Sequence, residues 1–258
     1  MPSYPALPPV IGHRGAAASA PENTLAALSR AHALGCRWVE FDVRLTADDE
    51  PILLHDARLE RTTDGGGEAA ALPLAAIRRH DAGSWFAPAF AGERVPTLEE
   101  ALMLLGELGL GANIELKAER RDRARRTGER VGAAIARAWP SSLPPPIVSS
   151  FLPHALMGVR ATAPELARGL LFRKIPKNWP IIAQRLDCAT IHADQRFLHP
   201  VSVAEIRRLG YSLLAYTVND AARARSLFDW GVSAVFSDLP DVVLAAVGND
   251  EKRWMGPA

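Results

Sequence analysis

Eight short strand-like runs alternate with helix-compatible stretches along nearly the whole chain. The runs fall at 10–13, 38–45, 113–117, 147–151, 169–172, 189–193, 212–218 and 234–237. The helical patterns fall between them, at 24–34, 97–108, 123–138, 153–163, 203–209 and 221–230. Such alternation demands a parallel sheet, because a parallel neighbour is reached only through a crossover. Eight such units in 258 residues predict an α/β architecture of one domain over 1–258, the (β/α)8 or TIM barrel. An open doubly wound sheet is the rival fold. No Gly-x-Gly-x-x-Gly or Walker loop follows the first run to support it.

One segment departs from the rhythm. Pro51-Ile52-Leu53-Leu54-His55 reads as a strand, yet only the turn-like Ala47-Asp48-Asp49-Glu50 precedes it. The pattern predicts a hairpin over 43–55 with a two-residue turn at Asp48-Asp49. Paired positions then sum to 97, which sets His55 opposite Asp42, Cβ atoms ~5 Å apart on one face. Residues 56–93 follow as the longest break, carrying Asp64-Gly65-Gly66-Gly67 and a Trp85–Phe90 aromatic stretch. An insertion of that length is functional or carries a small fold of its own. It is expected over the catalytic end of the barrel.

The net charge of +1 gives no bias toward nucleic acid or anionic membranes. The basic run over 119–126 has acids interleaved and reads as a solvated helix face. The first nine residues lack a basic segment followed by an apolar stretch, and no window has the ~18 apolar residues of a membrane span. A cytoplasmic protein is expected. Cys36 and Cys188 stand far apart in apolar surroundings and read as core residues.

Charged residues gather where these strands end. Glu40 and Asp42 lie two apart in Val39-Glu40-Phe41-Asp42-Val43, and Glu115 and Lys117 two apart in Asn113-Ile114-Glu115-Leu116-Lys117. Residues two apart on a strand share a face, so carboxylates point inward and apolar side chains outward. Buried like charges raise one another's pKa unless something positive sits between them. A divalent ion held by Glu40, Asp42 and Glu115 would supply it, and oxygen-only ligands favour Mg²⁺ or Ca²⁺. A salt-bridged interior, with Lys117 on Glu115 and Arg14 or Arg44 on the rest, is the alternative.

His13 and His55 sit beside Arg14 and Asp56 and suit a general acid/base pair. Arg14 and Lys117 suit phosphoryl oxygens, one as a fork and one as a point charge. The pattern describes metal-assisted cleavage of a phosphate ester. Phe151, His192, Tyr216 and Asn219 are candidates for the wall of a small-alcohol pocket, each of which core packing would also explain.

The ordered motifs resemble the glycerophosphodiester phosphodiesterase family. They are His13-Arg14-Gly15, Glu22-Asn23-Thr24, Glu40-Phe41-Asp42, His55-Asp56, Asn113-Ile114-Glu115-Leu116-Lys117, Tyr216-Thr217-Val218-Asn219 and Ser237-Asp238-Leu239-Pro240. Together they span nearly the whole chain. The likeness is greatest to cytosolic bacterial enzymes associated with glycerol-3-phosphate uptake, whose insertion also carries Asp-Ala-Gly-Ser-Trp. The resemblance implies a TIM barrel that hydrolyses glycerophosphodiesters to sn-glycerol 3-phosphate and an alcohol. It implies a divalent ion on Glu40, Asp42 and Glu115, catalysis by His13 and His55, and phosphate contacts from Arg14 and Lys117. Tyr216 stands where many members have Trp. A lysophospholipase D-type activity and a non-catalytic phosphodiester-binding barrel are the rival functions.

Overall fold

Val39, Phe41 and Val43 are buried against the surrounding helices, while the alternate residues Glu40 and Asp42 gather with Glu115 on the inner side. This is the period-two geometry of extended chain, and it fixes which way the sheet must curl. The structure, a computed structural model, describes residues 7–118 and 120–248. The leader reading of residues 1–6 and Glu119 at the head of the basic run lie outside the described residues.

The described elements run β1 (Val10–Gly12), α1 (Leu25–Ala33), β2 (Trp38–Leu45), β3 (Pro51–Leu53), α2 (Leu74–Ile77), α3 (Leu98–Leu108), β4 (Gly111–Leu116), α4 (Arg121–Ala138), β5 (Ile147–Ser150) and α5 (Pro153–Thr162). They continue with β6 (Ala167–Phe172), α6 (Trp179–Arg185), β7 (Thr190–Asp194), α7 (Pro200–Arg208), β8 (Ser212–Tyr216), α8 (Ala221–Trp230), β9 (Ala234–Ser237) and α9 (Pro240–Val247). The strand order is β1-β9-β8-β7-β6-β5-β4-β2, and β1 pairs with β2 to close the ring. All eight barrel pairings are parallel. Closure removes the open-sheet alternative, and the fold is a (β/α)8 TIM barrel.

Inside the barrel, Ile11, Trp38, Ile147, Leu214, Ala234 and Phe236 form an apolar floor. Each fully buried apolar side chain of this kind contributes roughly 1.5–3 kcal/mol. Polar residues are thereby displaced upward to the C-terminal ends of the strands, where barrels place their chemistry. Helix ends are tied locally. Thr24 caps α1 by accepting from the Ala27 N–H, and Thr97 and Glu100 form a reciprocal capping box on α3.

The hairpin differs from its sequence reading by one position. Val43 pairs with Leu53 and Leu45 with Pro51, so partners sum to 96 and Asp42 faces Leu54. The cause is a three-residue loop: Thr46 N–H bonds the Glu50 carbonyl, and Asp49 takes the left-handed conformation at φ 61°. His55 therefore has no place opposite Asp42 in the ladder.

β3 occupies the same edge of β2 that β1 leaves free. The Glu40 carbonyl accepts from Gly15 N–H and the Asp42 carbonyl from Leu54 N–H. Alternate carbonyls point to one edge, so the chain ends carrying His13 and His55 reach the same flank of β2. Residues 56–93 then form a small fold. Its buried side chains, Leu59, Ala69, Ile77 and Ala82, join Ile52, Leu54 and Val95 in a cluster of their own.

Candidate active site

The turn after β1 is built for close approach. A Cβ on Gly12 would meet the Gly15 carbonyl oxygen at 2.3 Å, and Gly15, at φ +86°, lies against the Ala27 backbone. Arg14 between them takes φ 50°, a left-handed conformation costly for a residue with a side chain. Hydrogen bonds hold it there: Arg14 N–H donates to Glu40 Oε2 at 2.9 Å, and Asn23 N–H donates to the Arg14 carbonyl. The strained residue sits at the predicted site, the usual location of such strain.

Each predicted histidine ends on an aspartate. His13 Nδ1 lies 2.7 Å from Asp238 Oδ1, and His55 Nδ1 lies 2.6 Å from Asp56 Oδ1. Asp238 is held in turn by Asn219, whose Nδ2 donates at 2.8 Å. Asp56 is held by Arg61, whose Nε donates at 2.6 Å. Beside the ladder bond that brings β3 to this flank, the Arg44 guanidinium donates to the His55 backbone carbonyl at 2.7–2.9 Å and holds that chain end.

Burial disfavours charge on His13, but the Asp238 hydrogen bond and the Glu40 charge outweigh it and raise its pKa above the ordinary value. For His55 burial and the charges of Arg14 and Lys117 outweigh Asp42 and Asp56, and the pKa falls. The two imidazoles are thus biased in opposite directions.

Asp42 and Glu115 occupy paired positions on β2 and β4, and Glu40 pairs with Asn113. One oxygen from each of Glu40, Asp42 and Glu115 lies within 4.8 Å of the others. Lys117 Nζ bonds Glu115 and stands 3.1 Å from Asp42 Oδ1, while Arg14 Nε stands 3.3 Å from Asp42 Oδ2. Burial would raise the Asp42 pKa, but Lys117 and Arg14 overcome it and hold the carboxyl well below its usual range. Glu40 has neither Lys nor Arg in salt-bridge contact among the described residues, and the His13 Nε2, 3.8 Å from its Oε2, offsets its charge only in part. Burial and the Asp42 charge push its pKa up. Its Oε1 is buried without any hydrogen-bond partner. Three buried carboxylates share two cations, and one of those, Arg14, is also bonded to Glu22. An all-oxygen donor set with an unpartnered oxygen fits a hard divalent cation, and these three residues could hold one.

The site opens into a cavity of about 500 Å³ lined by His13, Arg14, Glu40, His55, Glu115 and Lys117. Phe151, His192 and Tyr216 form part of its wall. Phe151 and Tyr216 meet edge to face at 5.9 Å, and Lys117 Nζ stands 5.7 Å from the Phe151 ring centre. The Tyr216 hydroxyl donates to the Phe172 carbonyl at 2.9 Å. His192 bonds Thr190 at 2.8 Å, and its Nδ1 is buried without a partner. Nine of the eleven site residues named from the sequence line this cavity, and Asp42 joins them through its carboxylate cluster with Glu40 and Glu115.

Asn219 is the exception among the wall candidates. It faces Asp238 and is not among the residues that line the cavity. The orienting residues Asp238, Asn23 and Arg61 carried no assigned role in the sequence. The first two sit inside quoted motifs, but their partners His13 and Asp42 are 225 and 19 positions away. Arg61 has no sequence signal at all.

Known proteins of one family resemble this chain in sequence and in fold. The sequence model of the Glycerophosphoryl diester phosphodiesterase family matches residues 13–242. A glycerophosphodiester phosphodiesterase of Caldanaerobacter subterraneus subsp. tengcongensis is 32% identical over 92% of this chain and 97% of its own. A solved phosphodiesterase of Oleispira antarctica, in complex with the product sn-glycerol-3-phosphate, is 41% identical. It superposes with a TM-score of 0.90 over 93% of this chain and 97% of its own. A glycerophosphodiester phosphodiesterase of Agrobacterium tumefaciens superposes with a TM-score of 0.79 at 29% identity, covering 93% of this chain and 100% of its own.

Proposed function

The chain belongs to the glycerophosphoryl diester phosphodiesterase family, and from that premise we propose that it hydrolyses glycerophosphodiesters to sn-glycerol 3-phosphate and an alcohol. The observation that carries this reading is the pair of His–Asp contacts, His13–Asp238 and His55–Asp56, flanking one carboxylate cluster. The product bound to the Oleispira antarctica relative supports the choice of substrate.

In this reading Glu40, Asp42 and Glu115 hold a divalent ion, Mg²⁺ or Ca²⁺. When bound, the ion supplies Lewis-acid stabilisation of charge developing on the phosphoryl oxygens. Arg14 and Lys117 bind those oxygens from the protein side. One histidine takes the proton of the attacking water, or of the glycerol 2-hydroxyl in a route whose cyclic phosphate a water then opens to glycerol 3-phosphate, as the new P–O bond forms. The bond to the alcohol breaks, and the other histidine gives that oxygen a proton. Asp238 and Asp56 fix each imidazole through Nδ1, leaving Nε2 for the reaction. Phe151, His192 and Tyr216 shape the wall against which the substrate rests. The insertion 56–93 covers the catalytic face, and a single domain over 1–258 in the cytoplasm completes the assignment.

The insertion's aromatic residues argue against a lysophospholipid substrate. Trp85 packs on Phe86 and Phe86 on Phe90, and none of the three lines the cavity. Among the described residues no helix is long and apolar enough to cross a membrane. The test compares glycerophosphocholine with lysophosphatidylcholine under phosphorus NMR, with Mg²⁺ or Ca²⁺ present. The reading predicts glycerol 3-phosphate from the first and slow turnover of the second. Preference for the lysolipid, or binding without turnover of either, would overturn it. A transient cyclic phosphate in the same spectra would identify the glycerol 2-hydroxyl as the nucleophile; its absence points to water.

A further inference from the structure

Arg61 lies in the insertion and is not among the residues that line the cavity. Its guanidinium nevertheless holds two carboxylates at once. Nε and Nη2 donate to Asp56 at 2.6 and 3.1 Å, and Nη1 and Nη2 donate to Glu22 at 2.8 Å each. Both acids have their other engagement in the site. Asp56 Oδ1 meets His55 Nδ1 at 2.6 Å, and Glu22 Oε1 accepts from Arg14 Nη1 at 2.7 Å. Arg61 is therefore one residue removed from an imidazole on one side and from a phosphate-binding cation on the other.

An isolated exposed ion pair contributes little, and the Arg61 side chain is 45% exposed. The geometry here is different, because each carboxylate is already fixed at its far end. A planar guanidinium with five donors can fork onto both; an ammonium cannot reproduce that. The other histidine has no such link. His13 leads through Asp238 to the neutral Asn219.

We propose that Arg61 is a positioning residue that sets His55 and Arg14 relative to one another through Asp56 and Glu22. The insertion thereby fixes the spacing between an acid/base group and the phosphate clamp. This rests on the roles given to His55 and Arg14 above. Without Arg61, Asp56 loses the partner that holds its second oxygen, and Glu22 is left to Arg14 alone.

The test is steady-state hydrolysis of glycerophosphocholine by wild type, Arg61→Ala, Arg61→Lys, Asp56→Ala and the Asp56→Ala/Arg61→Ala double variant, with thermal melts confirming that each is folded. Arg61→Ala should lower kcat and raise KM, with kcat/KM falling ~10- to 100-fold. Arg61→Lys should recover part of the loss. In the double variant kcat should stay near that of Asp56→Ala while KM rises further, because only the Glu22 arm is left to lose. Arg61→Ala or a folded Arg61→Lys within twofold of wild type in both constants would overturn the proposal. So would a kcat loss that adds in full to that of Asp56→Ala. A wild-type protein that releases no glycerol phosphate would instead remove the functional reading, before any variant is compared.

Discussion

Asn23 grips Asp42 with both ends of its amide: Nδ2 donates to Oδ2 at 2.9 Å, and Oδ1 accepts the Asp42 backbone N–H at 3.0 Å. Asn23 does so from a left-handed backbone, φ 58°, a conformation asparagine tolerates better than most residues. The carboxylate at the centre of the cluster is thus aimed by a residue that is not itself a candidate ligand. Asn23→Ala removes both bonds and keeps the backbone strain. It should raise the divalent concentration needed for half-maximal activity by ~10- to 100-fold, with a lower unfolding temperature. An unchanged metal titration would show that Asp42 needs no such support.

The unpartnered Glu40 Oε1 makes divalent binding visible without turnover. An ion that binds only the folded state stabilises it by ~2.7 kcal/mol at one hundred times its Kd. Mg²⁺ or Ca²⁺ should raise the unfolding temperature of the wild type, and EDTA should reverse the rise. Glu40→Gln should abolish the response. Above about pH 8 it should also raise the stability of the metal-free protein, because burial and the Asp42 charge push the Glu40 carboxyl up to about 8 and only above that does it carry a charge that burial disfavours. A full cation response in Glu40→Gln would remove Glu40 from the ligand set.

His192, in the cavity wall, gives the barrel a pH signature. Burial pushes its pKa down to about 3, so the folded protein keeps it neutral. Above pH ~6.5 the imidazole is neutral in both states and stability does not depend on it. As pH falls from there toward 3, the unfolded chain takes up a proton that the folded one refuses. Stability therefore drops, with a contribution approaching ~1.4 kcal/mol per pH unit. His192→Gln should flatten the slope of urea-derived stability between pH 6 and 4. An identical slope in the variant would mean that His192 is protonated in the fold.

Cys36 and Cys188 are free and buried, and burial pushes both thiols up to about 12. Thiolate is the reactive form, so neither should react with a thiol reagent at pH 8 until the protein unfolds. Two equivalents should then be released together in denaturant. Rapid labelling of either in the native state would contradict the packing around it.

The barrel was legible because β-branched runs and helical periods alternate, and strand positions were read to within about two residues. Three helices escaped, the first of them α2, a single four-residue turn inside the insertion. Of the other two, α6 opens on Trp179-Pro180 and is short, and α9 begins at Pro240 with an unbroken apolar run; neither shows helical periodicity. The hairpin register slipped by one because nothing in Asp48-Asp49 declares that Asp49 takes φ 61° and lengthens the loop. At the site, side chains on consecutive strand ends were legible from spacing, as with Glu40, Asp42, Glu115 and Lys117. The residues that aim them were not. Asp238 meets His13 only because β1 and β9 pair in the closed barrel, and Arg61 meets Glu22 only once the insertion has folded.

The central claim is that His13 and His55 together carry the proton transfers of ester cleavage. Its most direct test is the rate of sn-glycerol 3-phosphate release from glycerophosphocholine by His13→Ala and His55→Ala at saturating divalent ion. Each variant should be folded and bind the ion, yet lose at least ~10²-fold in kcat. Either variant turning over within a few-fold of wild type would contradict the account.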